Sequence, residues 1–314
     1  MRYAVISDIH GNVLALDSVL ADARQKRADG YIFAGDYLIS APWPNEVYRR
    51  ILSCPNHLAV RGNEESYIHI PDGNDGQFEI SRFCRRILEN DAACWADTLP
   101  SRIDVHLSGL DVHISHSSSD FFGKAEHKRF STRRLAERYP DRSPSRSELL
   151  EAVKNELSTD ESFLSGIDPL SKGIYIFGHS HFQWHAEFGG KIFINPGSCG
   201  LPLDCEEKMH APYTLLTIEN GVCQIEERRI PYDEEKLIEC VKSTDQYTQA
   251  RVWSEIIFEE WRTRREKVFH FLSLAERYSH SIGDDIRPFQ KDTWEKAYLK
   301  WRSLSEKEKL SFGS

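Results

Sequence analysis

The first hundred residues alternate between short apolar runs and polar turns that contain glycine. Residues 2–6, 31–34 and 58–60 are runs typical of buried strands. Asn12, a residue that often caps helices, precedes apolar positions spaced by three and four, which predicts an amphipathic helix. This alternation of strands and helices favours an α/β fold.

Later apolar runs predict a second group of strands joined by tight turns. Residues 102–107 and 110–115 flank Ser108-Gly109, and residues 174–177 form another run. Gly189-Gly190 leads into residues 192–194, and Asn220-Gly221 separates residues 213–218 from 222–227. Such two-residue turns between apolar runs are strong hairpin signals.

From Pro231 onward the pattern becomes helical. One predicted helical face is formed by Trp253, Ile257, Trp261, Val268 and Leu272, and another by Trp294, Tyr298 and Trp301. We therefore predict a first domain of residues 1–230 and a helical C-terminal appendage of residues 231–314. The simplest interpretation is that the tryptophans of this appendage anchor the core. The alternatives are that they form an oligomer contact or a wall of a binding cleft.

Polar side chains that can bind metal ions follow several of the predicted strands. They are Asp8, His10, Asp36, Asn63, His116, His179 and His181. In α/β folds, binding sites lie beyond the carboxyl ends of the strands. Carboxylate, amide and imidazole donors suit Mn, Fe, Zn or Co, and the lack of a thiolate argues against a structural zinc site.

The spacing of these residues suggests how they would share ions. Asp8 and His10 point the same way if the chain is extended, so we expect them to bind one ion together. Glycine beside Asp36, Asn63 and His179 permits close approach of the backbone. Seven ligands suit two ions bridged by a carboxylate. Two ions about 3.5–4 Å apart can lower the pKa of a shared water toward ~7, and the resulting hydroxide can attack phosphorus.

Each of these short motifs is common by itself. Asp8 could be a turn or cap residue, Asn63 a turn asparagine, and the two histidines near residue 180 part of a surface hairpin. The ordered series, with each member ending an apolar strand, is more specific. His113 is the alternative to His116, which we prefer because it ends its strand.

The series D-x-H, G-D, G-N-x-[DE], H and G-H-x-H resembles the calcineurin-like metallophosphoesterase superfamily over about residues 1–230. Its spacing and residues 195–202 are similar to the small bacterial phosphodiesterase and dinucleoside-polyphosphatase branch. The resemblance implies a four-layer fold in which two mixed sheets form a sandwich flanked by helices. It also implies one ion held by Asp8, His10 and His181, another by Asn63, His116 and His179, and a bridging Asp36.

Two positions depart from the family pattern. Glu64 stands where the family often has a histidine, and Ser117-Ser118-Ser119 replaces the usual Gly-Ser-Pro after His116. A catalytic role for Glu64 would need burial to raise its pKa. Without that histidine, the site favours substrates with good leaving groups, such as pyrophosphate-linked nucleotides.

The substrate-contacting candidates are Asn12, Arg133 and Arg134. Both arginines belong to residues 124–146, a segment with eight basic and three acidic side chains. A solvated helix face is the simpler interpretation of this segment. The alternative is a lid whose arginines bind phosphate groups in two-point contacts.

Composition limits the class of partner and the compartment. The chain has 314 residues and a net charge of −9, which disfavours nucleic acid as a partner. Its seven cysteines are odd in number and lack a C-x-x-C pair, so a disulfide framework is not expected. Neither a signal peptide nor a run of eighteen apolar residues occurs, and we predict a cytoplasmic protein without a membrane span.

These features predict a binuclear metal-dependent phosphohydrolase. We expect it to cleave phosphodiester or pyrophosphate bonds of small nucleotide-like substrates by attack of a metal-bridged hydroxide. A DNA nuclease would be expected to carry a histidine at position 64 and a more basic surface. A protein serine/threonine phosphatase and a non-catalytic metal-binding scaffold also compete with this prediction, although scaffolds usually lose metal-binding histidines.

Overall fold

The computed structural model describes residues 1–122, 139 and 142–312. Its first sheet has the strand order β10-β9-β1-β2-β3. Strands β1, β2 and β3 are parallel neighbours, whereas β9 runs antiparallel to both β1 and β10. The bounds are β1 Arg2–Ile6, β2 Gly30–Phe33, β3 His57–Ala59, β9 His210–Glu219 and β10 Val222–Pro231.

The second sheet has the strand order β4-β5-β6-β8-β7. Strands β5, β6 and β8 are parallel, and the edge strands β4 and β7 are antiparallel to their neighbours. The bounds are β4 Arg102–Leu107, β5 Leu110–Ser115, β6 Ile174–Ile176, β7 Gln183–Phe188 and β8 Lys191–Pro196. The three hairpins predicted from their turn residues are confirmed.

Helices surround the sheets and continue to the end of the described chain. In the first 230 residues they are α1 Val13–Gln25, α2 Pro44–Leu52, a 3₁₀ helix Glu64–His69, α3 Glu79–Ile87, α4 Asn90–Thr98, α5 Ser119–Phe122, α6 Arg146–Thr159 and α7 Glu161–Ile167. After β10 they are α8 Glu234–Lys242, α9 Asp245–Gln249, α10 Arg251–Thr263, α11 Val268–Ser281, α12 Lys291–Arg302 and α13 Glu306–Leu310.

The two sheets pack face to face across an apolar core. Val5 and Ile32 of the first sheet lie in the same buried cluster as Ile114, Ile176 and Ile194 of the second. The outer face of each sheet packs against its own helices in a further apolar cluster. The four-layer sandwich with two mixed sheets is thus confirmed.

The C-terminal region is helical, as predicted, but one detail of that prediction is wrong. The five residues from Trp253 to Leu272 do not share one helical face, because two helices meet between them. Helix α10 is capped by Arg264, whose φ of 49° is left-handed, and α11 begins at Val268. Trp261, Trp294 and Trp301 are buried, in agreement with the core-anchor interpretation.

The C-terminal helices pack directly on the sandwich. Leu237 and Ile257 lie in the same apolar cluster as residues of β1 and α1. The Trp261 indole donates a 2.9 Å hydrogen bond to the carbonyl of Gly200, and the Gln246 amide donates one of 2.8 Å to the carbonyl of Ser40. The two parts therefore share a core, and the division at residue 230 stays a prediction.

No helix in the described ranges has both the length and the apolar character needed to cross a membrane.

Candidate metal centre

The predicted ligands all lie in loops at the carboxyl ends of strands. They meet where the two sheets end side by side, as the topology rule for α/β folds leads one to expect. Ligand atoms of Asp8, His10 and His181 form one group within 4.8 Å of one another, and those of Asp36, His116 and His179 form a second. A third group joins His10, Asp36 and Glu64, so Asp36 lies between the first two.

The first cluster brings two histidines and a carboxylate together. The Nε2 atom of His181 lies 3.3 Å from Oδ1 of Asp8 and 3.0 Å from Nε2 of His10. Asp8 is fully buried, and His10 is nearly so. This is the trio that the family resemblance assigned to one ion.

The second cluster is centred on Nε2 of His116. This atom lies 3.2 Å from Oδ2 of Asp36, 3.0 Å from Oδ1 of Asn63 and 3.3 Å from Nδ1 of His179. The other carboxylate oxygen of Asp36 accepts a 2.8 Å hydrogen bond from the backbone N–H of Glu64. All seven predicted ligands are therefore brought together.

The facing nitrogen atoms of the clusters are arranged to bind metal ions and are poorly arranged to hydrogen bond to one another. Nε2 of His10 faces Nε2 of His181 at 3.0 Å, and Nε2 of His116 faces Nδ1 of His179 at 3.3 Å. Two neutral imidazoles can face each other in this way only if one of them donates a proton, or if a cation lies between their lone pairs. Carboxylate oxygens beside each pair complete a donor set typical of Mn, Fe, Zn or Co.

Hydrogen bonds to the outer ring atoms aim three of the imidazoles at the centre. Nδ1 of His116 lies 2.7 Å from the carbonyl of Ala34, and Nδ1 of His181 lies 2.8 Å from the carbonyl of Leu201. Nδ1 of His10 lies 2.9 Å from Oε2 of Glu64. Partners of this kind fix the tautomer, so that Nε2 is left to bind a metal.

The electrostatics of the clusters are those of a cation site. Burial opposes protonation of His10, but the carboxylates of Glu64, Asp36 and Asp8 outweigh it and raise the pKa of His10 to about 10. Burial likewise opposes protonation of His116, but Asp36 and Asp8 raise its pKa to about 10. Burial would raise the pKa of Asp36, yet the neighbouring histidines hold it below its usual range. The field that retains protons on these rings also attracts metal ions.

The backbone conformation at the ligands differs from our prediction. Extended chain would point Asp8 and His10 the same way, but both residues have left-handed φ angles, 52° and 55°. Asp36, His179 and His181 also have positive φ angles. Asp8 and His10 reach the same cluster through two left-handed residues in one loop, and backbone bonds to Gly35 and Asp36 hold that loop in place. Strained backbone of this kind is common at functional sites.

Two glycines allow the clusters to form. A Cβ atom at Gly62 would collide with the carboxylate and backbone nitrogen of Asp36, and one at Gly178 would collide with Ser7 and with the carboxylate of Asp8. The prediction that glycines beside the ligands permit close approach is confirmed at both positions.

Glu64 is placed against a ligand. Its carboxylate approaches His10, and burial, the largest influence, raises its pKa above the usual value. A catalytic role for Glu64 stays a prediction. The observed contact is that of a side chain that positions His10.

Glu65 supports the candidate site in a way that the sequence analysis does not predict. It is 1% exposed and accepts hydrogen bonds from the backbone N–H groups of Asp36, Tyr37 and Gly62, at 3.1, 2.7 and 2.8 Å. Burial, followed by the charge of Asp36, raises the pKa of Glu65 to about 7. Its carboxyl group joins the two loops that carry Asp36 and Asn63. The acidic position of the G-N-x-[DE] motif was the available signal.

The substrate-contacting candidates have different outcomes. The Asn12 side chain is fully buried, caps α1 through Ala15, and donates to the carbonyl of Gly200 and the hydroxyl of Tyr232. It is therefore not positioned to contact a substrate, and that expectation is corrected. Arg133 and Arg134 lie outside the described residues.

The alternative ligand His113 lies away from the clusters. Its ring stacks on Tyr175 with centroids 4.6 Å apart, and its Nδ1 contacts the carboxylate of Asp104. The structure therefore places His116, and not His113, at the centre.

A cavity of about 530 Å³, here called the chamber, opens onto both clusters. Its lining includes His10, Asp36, Asn63, His179 and His181. The sandwich contributes apolar side chains from Ile39, Ile80, Leu201 and Leu203 to its walls. The C-terminal helices contribute Trp253, Ile257, Val268, Phe269 and Leu272. The C-terminal region thus lines the same cavity as the ligands, and Trp253 takes the position expected of a cleft wall.

The fold and the ligand clusters place the chain in the metallophosphoesterase class of proteins. Residues 1–221 match the calcineurin-like phosphoesterase superfamily domain, and the chain belongs to this family. It is 27% identical over 256 residues to the uncharacterised protein MJ0912 of Methanocaldococcus jannaschii, an alignment that covers 75% of this chain and 90% of that protein.

Two solved structures show the same fold. A metallophosphoesterase from Sphaerobacter thermophilus has a TM-score of 0.57 at 19% identity, with 84% of this chain and 100% of that chain covered. The hypothetical protein PH1004 from Pyrococcus horikoshii has a TM-score of 0.57 at 16% identity, with 82% and 97% covered. At these identities the likeness establishes the fold alone.

Proposed function

We propose that this protein is a binuclear metal-dependent phosphohydrolase that cleaves phosphodiester or pyrophosphate bonds of small nucleotide-like substrates. The observation that carries the proposal is the pair of ligand clusters with Asp36 between them. Asp8, His10 and His181 would hold one ion, and Asn63, His116 and His179 the other. Mn, Fe, Zn and Co are the candidate ions.

When bound, the two ions would activate a water and neutralise charge on the phosphoryl oxygens. The protein residues prepare the site for this chemistry. Glu64 and the carbonyl groups of Ala34 and Leu201 fix the orientation of three histidine ligands. Glu65 holds the two loops that carry Asp36 and Asn63. Such preorganisation lowers the reorganisation needed during reaction.

The chamber supports a small substrate over a phosphoprotein. Its volume of about 530 Å³ lies within the range of pockets that enclose small molecules. The helices α10 and α11 line the same chamber as the metal clusters through Trp253, Ile257 and Leu272. A protein serine/threonine phosphatase would need to admit a folded surface loop past these helices.

The proposal is tested by reconstituting the purified protein with Mn, Fe, Zn or Co. Monoesters, diesters, dinucleoside polyphosphates and a phosphoserine peptide are then compared as substrates. We expect metal-dependent hydrolysis of diesters or pyrophosphates and little hydrolysis of the peptide. The Asp36→Asn variant should lose at least about 10²-fold in kcat, since the bridging carboxylate is removed.

Two results would contradict the proposal. Equal activity in the wild type and in Asp36→Asn would indicate a contaminating phosphatase. Stoichiometric metal binding without hydrolysis of any ester would favour the non-catalytic scaffold.

A further inference from the structure

Building on the proposed function, we propose that the chamber decides between its two bond types: it selects phosphate esters whose organic group is apolar and uncharged, such as an aryl or alkyl group, over polyphosphates. The phosphate would lie at the metal clusters and the organic group between the sandwich and the C-terminal helices. In this proposal the lining of the chamber, and not the metal clusters, determines which organic group is preferred.

The chamber brings apolar walls and the candidate ligands together in one cavity. The same cavity is lined by His10 and His179 and by Ile257, Val268 and Leu272. A substrate whose phosphate reaches the clusters therefore carries its organic group against these side chains. Burial of each methylene group in such a place contributes about 0.8 kcal/mol to binding.

The charges of the chamber disfavour a polyanion. Besides Asp36 and Glu64, its lining includes Glu260 and Glu266 of the C-terminal region, and the described lining contains no lysine or arginine. Glu260 is 1% exposed and accepts hydrogen bonds from the backbone N–H groups of Lys267 and Val268. Glu260 and Glu266 lie side by side, so additional phosphate groups in this space would face the negative charge that this pair carries, with no lysine or arginine in the described lining to offset it. An uncharged group would meet no such repulsion.

The apolar walls are held in place by contacts beyond the chamber. The Trp253 indole donates a 2.7 Å hydrogen bond to the carbonyl of Gln77 and packs against Trp294, with ring centroids 5.4 Å apart. The side-chain oxygen of Gln77 accepts a hydrogen bond from the backbone N–H of Phe289. A wall fixed in this way is preformed, so little ordering is needed when an apolar group binds.

The test uses two phosphate monoesters and one nucleoside diphosphate, each with a single organic group, as competitive inhibitors of the metal-loaded enzyme. Methyl phosphate, hexyl phosphate and ADP are compared by their inhibition constants. Hexyl phosphate should bind at least about tenfold more tightly than methyl phosphate, a gain that burial of two methylenes already supplies. It should also bind more tightly than ADP. Equal constants for the two alkyl esters, or the tightest binding by ADP, would overturn the proposal.

Matched variants locate the effect in the chamber. Leu272→Asp should raise the inhibition constant of hexyl phosphate about tenfold and leave that of methyl phosphate within about twofold. Leu299→Asp is the same change on the exposed face of α12, where Leu299 is 59% exposed, and should alter neither constant. If Leu272→Asp fails to fold, Phe269→Ala, at a 41% exposed position, should weaken hexyl phosphate about threefold or more. Unchanged constants in a folded chamber variant would contradict the proposal.

A binding measurement separates this proposal from the proposed function. The uncharged probe 2-naphthalenemethanol is titrated calorimetrically into the metal-loaded wild type and into Phe269→Ala. Tighter binding to the wild type supports the chamber even if no ester is hydrolysed, a result that would overturn the proposed function alone. Absence of binding in an enzyme that hydrolyses esters would overturn the chamber assignment alone.

Discussion

At the scale of single residues, the ligands depend on neighbours that never touch the metal positions. Glu65 is the clearest case, because its one carboxyl group accepts three backbone hydrogen bonds from the loops of Asp36 and Gly62. A buried acceptor that serves several donors is costly to alter, since each donor left unpaired loses its solvation without compensation. Its contribution is therefore to the geometry of the site and to the stability of the chain.

Glu65→Gln tests this role. The amide keeps the size of the side chain but turns one acceptor into a donor that faces backbone N–H groups. We expect the free energy of unfolding to fall by about 1–3 kcal/mol in denaturant titrations. Glu219→Gln, the same change at an exposed position, is the control and should be neutral. Equal stability of both variants would contradict the assigned role.

Glu64 can be assigned by comparing metal affinity with turnover. If it positions His10, Glu64→Ala should weaken metal binding about 10–100-fold in calorimetric titrations. Glu64→Gln keeps an acceptor for Nδ1 of His10 and should lose less. Unchanged affinity combined with a large fall in kcat would support the catalytic interpretation in place of the positioning one.

The identity of the ligands could be predicted from the sequence, but their conformation could not. Each ligand follows an apolar strand, so its place at the sheet ends follows from chain order. The left-handed φ angles of Asp8, His10 and His181 have no such signal, because they occur at residues other than glycine. Tertiary contacts impose them.

At the scale of elements, the junction between α10 and α11 combines a chamber wall with a buried acid. Burial, followed by the neighbouring carboxylate of Glu266, raises the pKa of Glu260 well above its ordinary value of 4.5. The folded state therefore retains a proton that the unfolded state releases. This contribution to stability is complete below about pH 4.5 and is lost as the pH rises through the raised pKa of the folded state.

Glu260→Gln should remove this pH dependence. Glutamine keeps an oxygen acceptor for the N–H groups of Lys267 and Val268 but has no proton to release. Between about pH 5 and pH 8, the free energy of unfolding should fall more for the wild type than for the variant. Thermal melts across this range provide the measurement. Parallel pH profiles would show that Glu260 does not carry the effect.

Elements with local signals were predicted well. The hairpins at Ser108-Gly109, Gly189-Gly190 and Asn220-Gly221 follow from turn residues that favour positive φ angles. The break between α10 and α11 lacks such a signal. Residues 264–267 contain neither glycine nor proline, and Arg264 adopts the left-handed conformation while its side chain bonds to the carbonyl groups of Glu206 and Glu207.

At the scale of the whole molecule, the chamber joins segments that are far apart in sequence. Ile39, Leu201 and Leu272 face the same space only because the C-terminal helices pack on the carboxyl ends of the strands. No local pattern specifies such an arrangement, which explains why the sequence alone favours a packing role for the tryptophans of the C-terminal region. The domain division by sequence pattern likewise could not reveal that both parts share a core.

Metal removal should destabilise the whole molecule if the ligands of both sheets are joined through the ions. Ions that bind only the folded state add about 2.7 kcal/mol per site when their concentration is a hundred times the Kd. A chelator should therefore lower the melting temperature of the metal-loaded wild type and have a smaller effect on Asp36→Asn. Identical shifts in both proteins would indicate that the ions bind elsewhere.

The central claim is that seven side chains hold two metal ions with Asp36 between them. Anomalous X-ray scattering from crystals of the manganese-loaded protein tests it most directly. The account predicts two peaks about 3.5–4 Å apart, one beside Asp8, His10 and His181 and the other beside Asn63, His116 and His179, with Asp36 in contact with both. A single peak, or peaks away from Asp36, would contradict it.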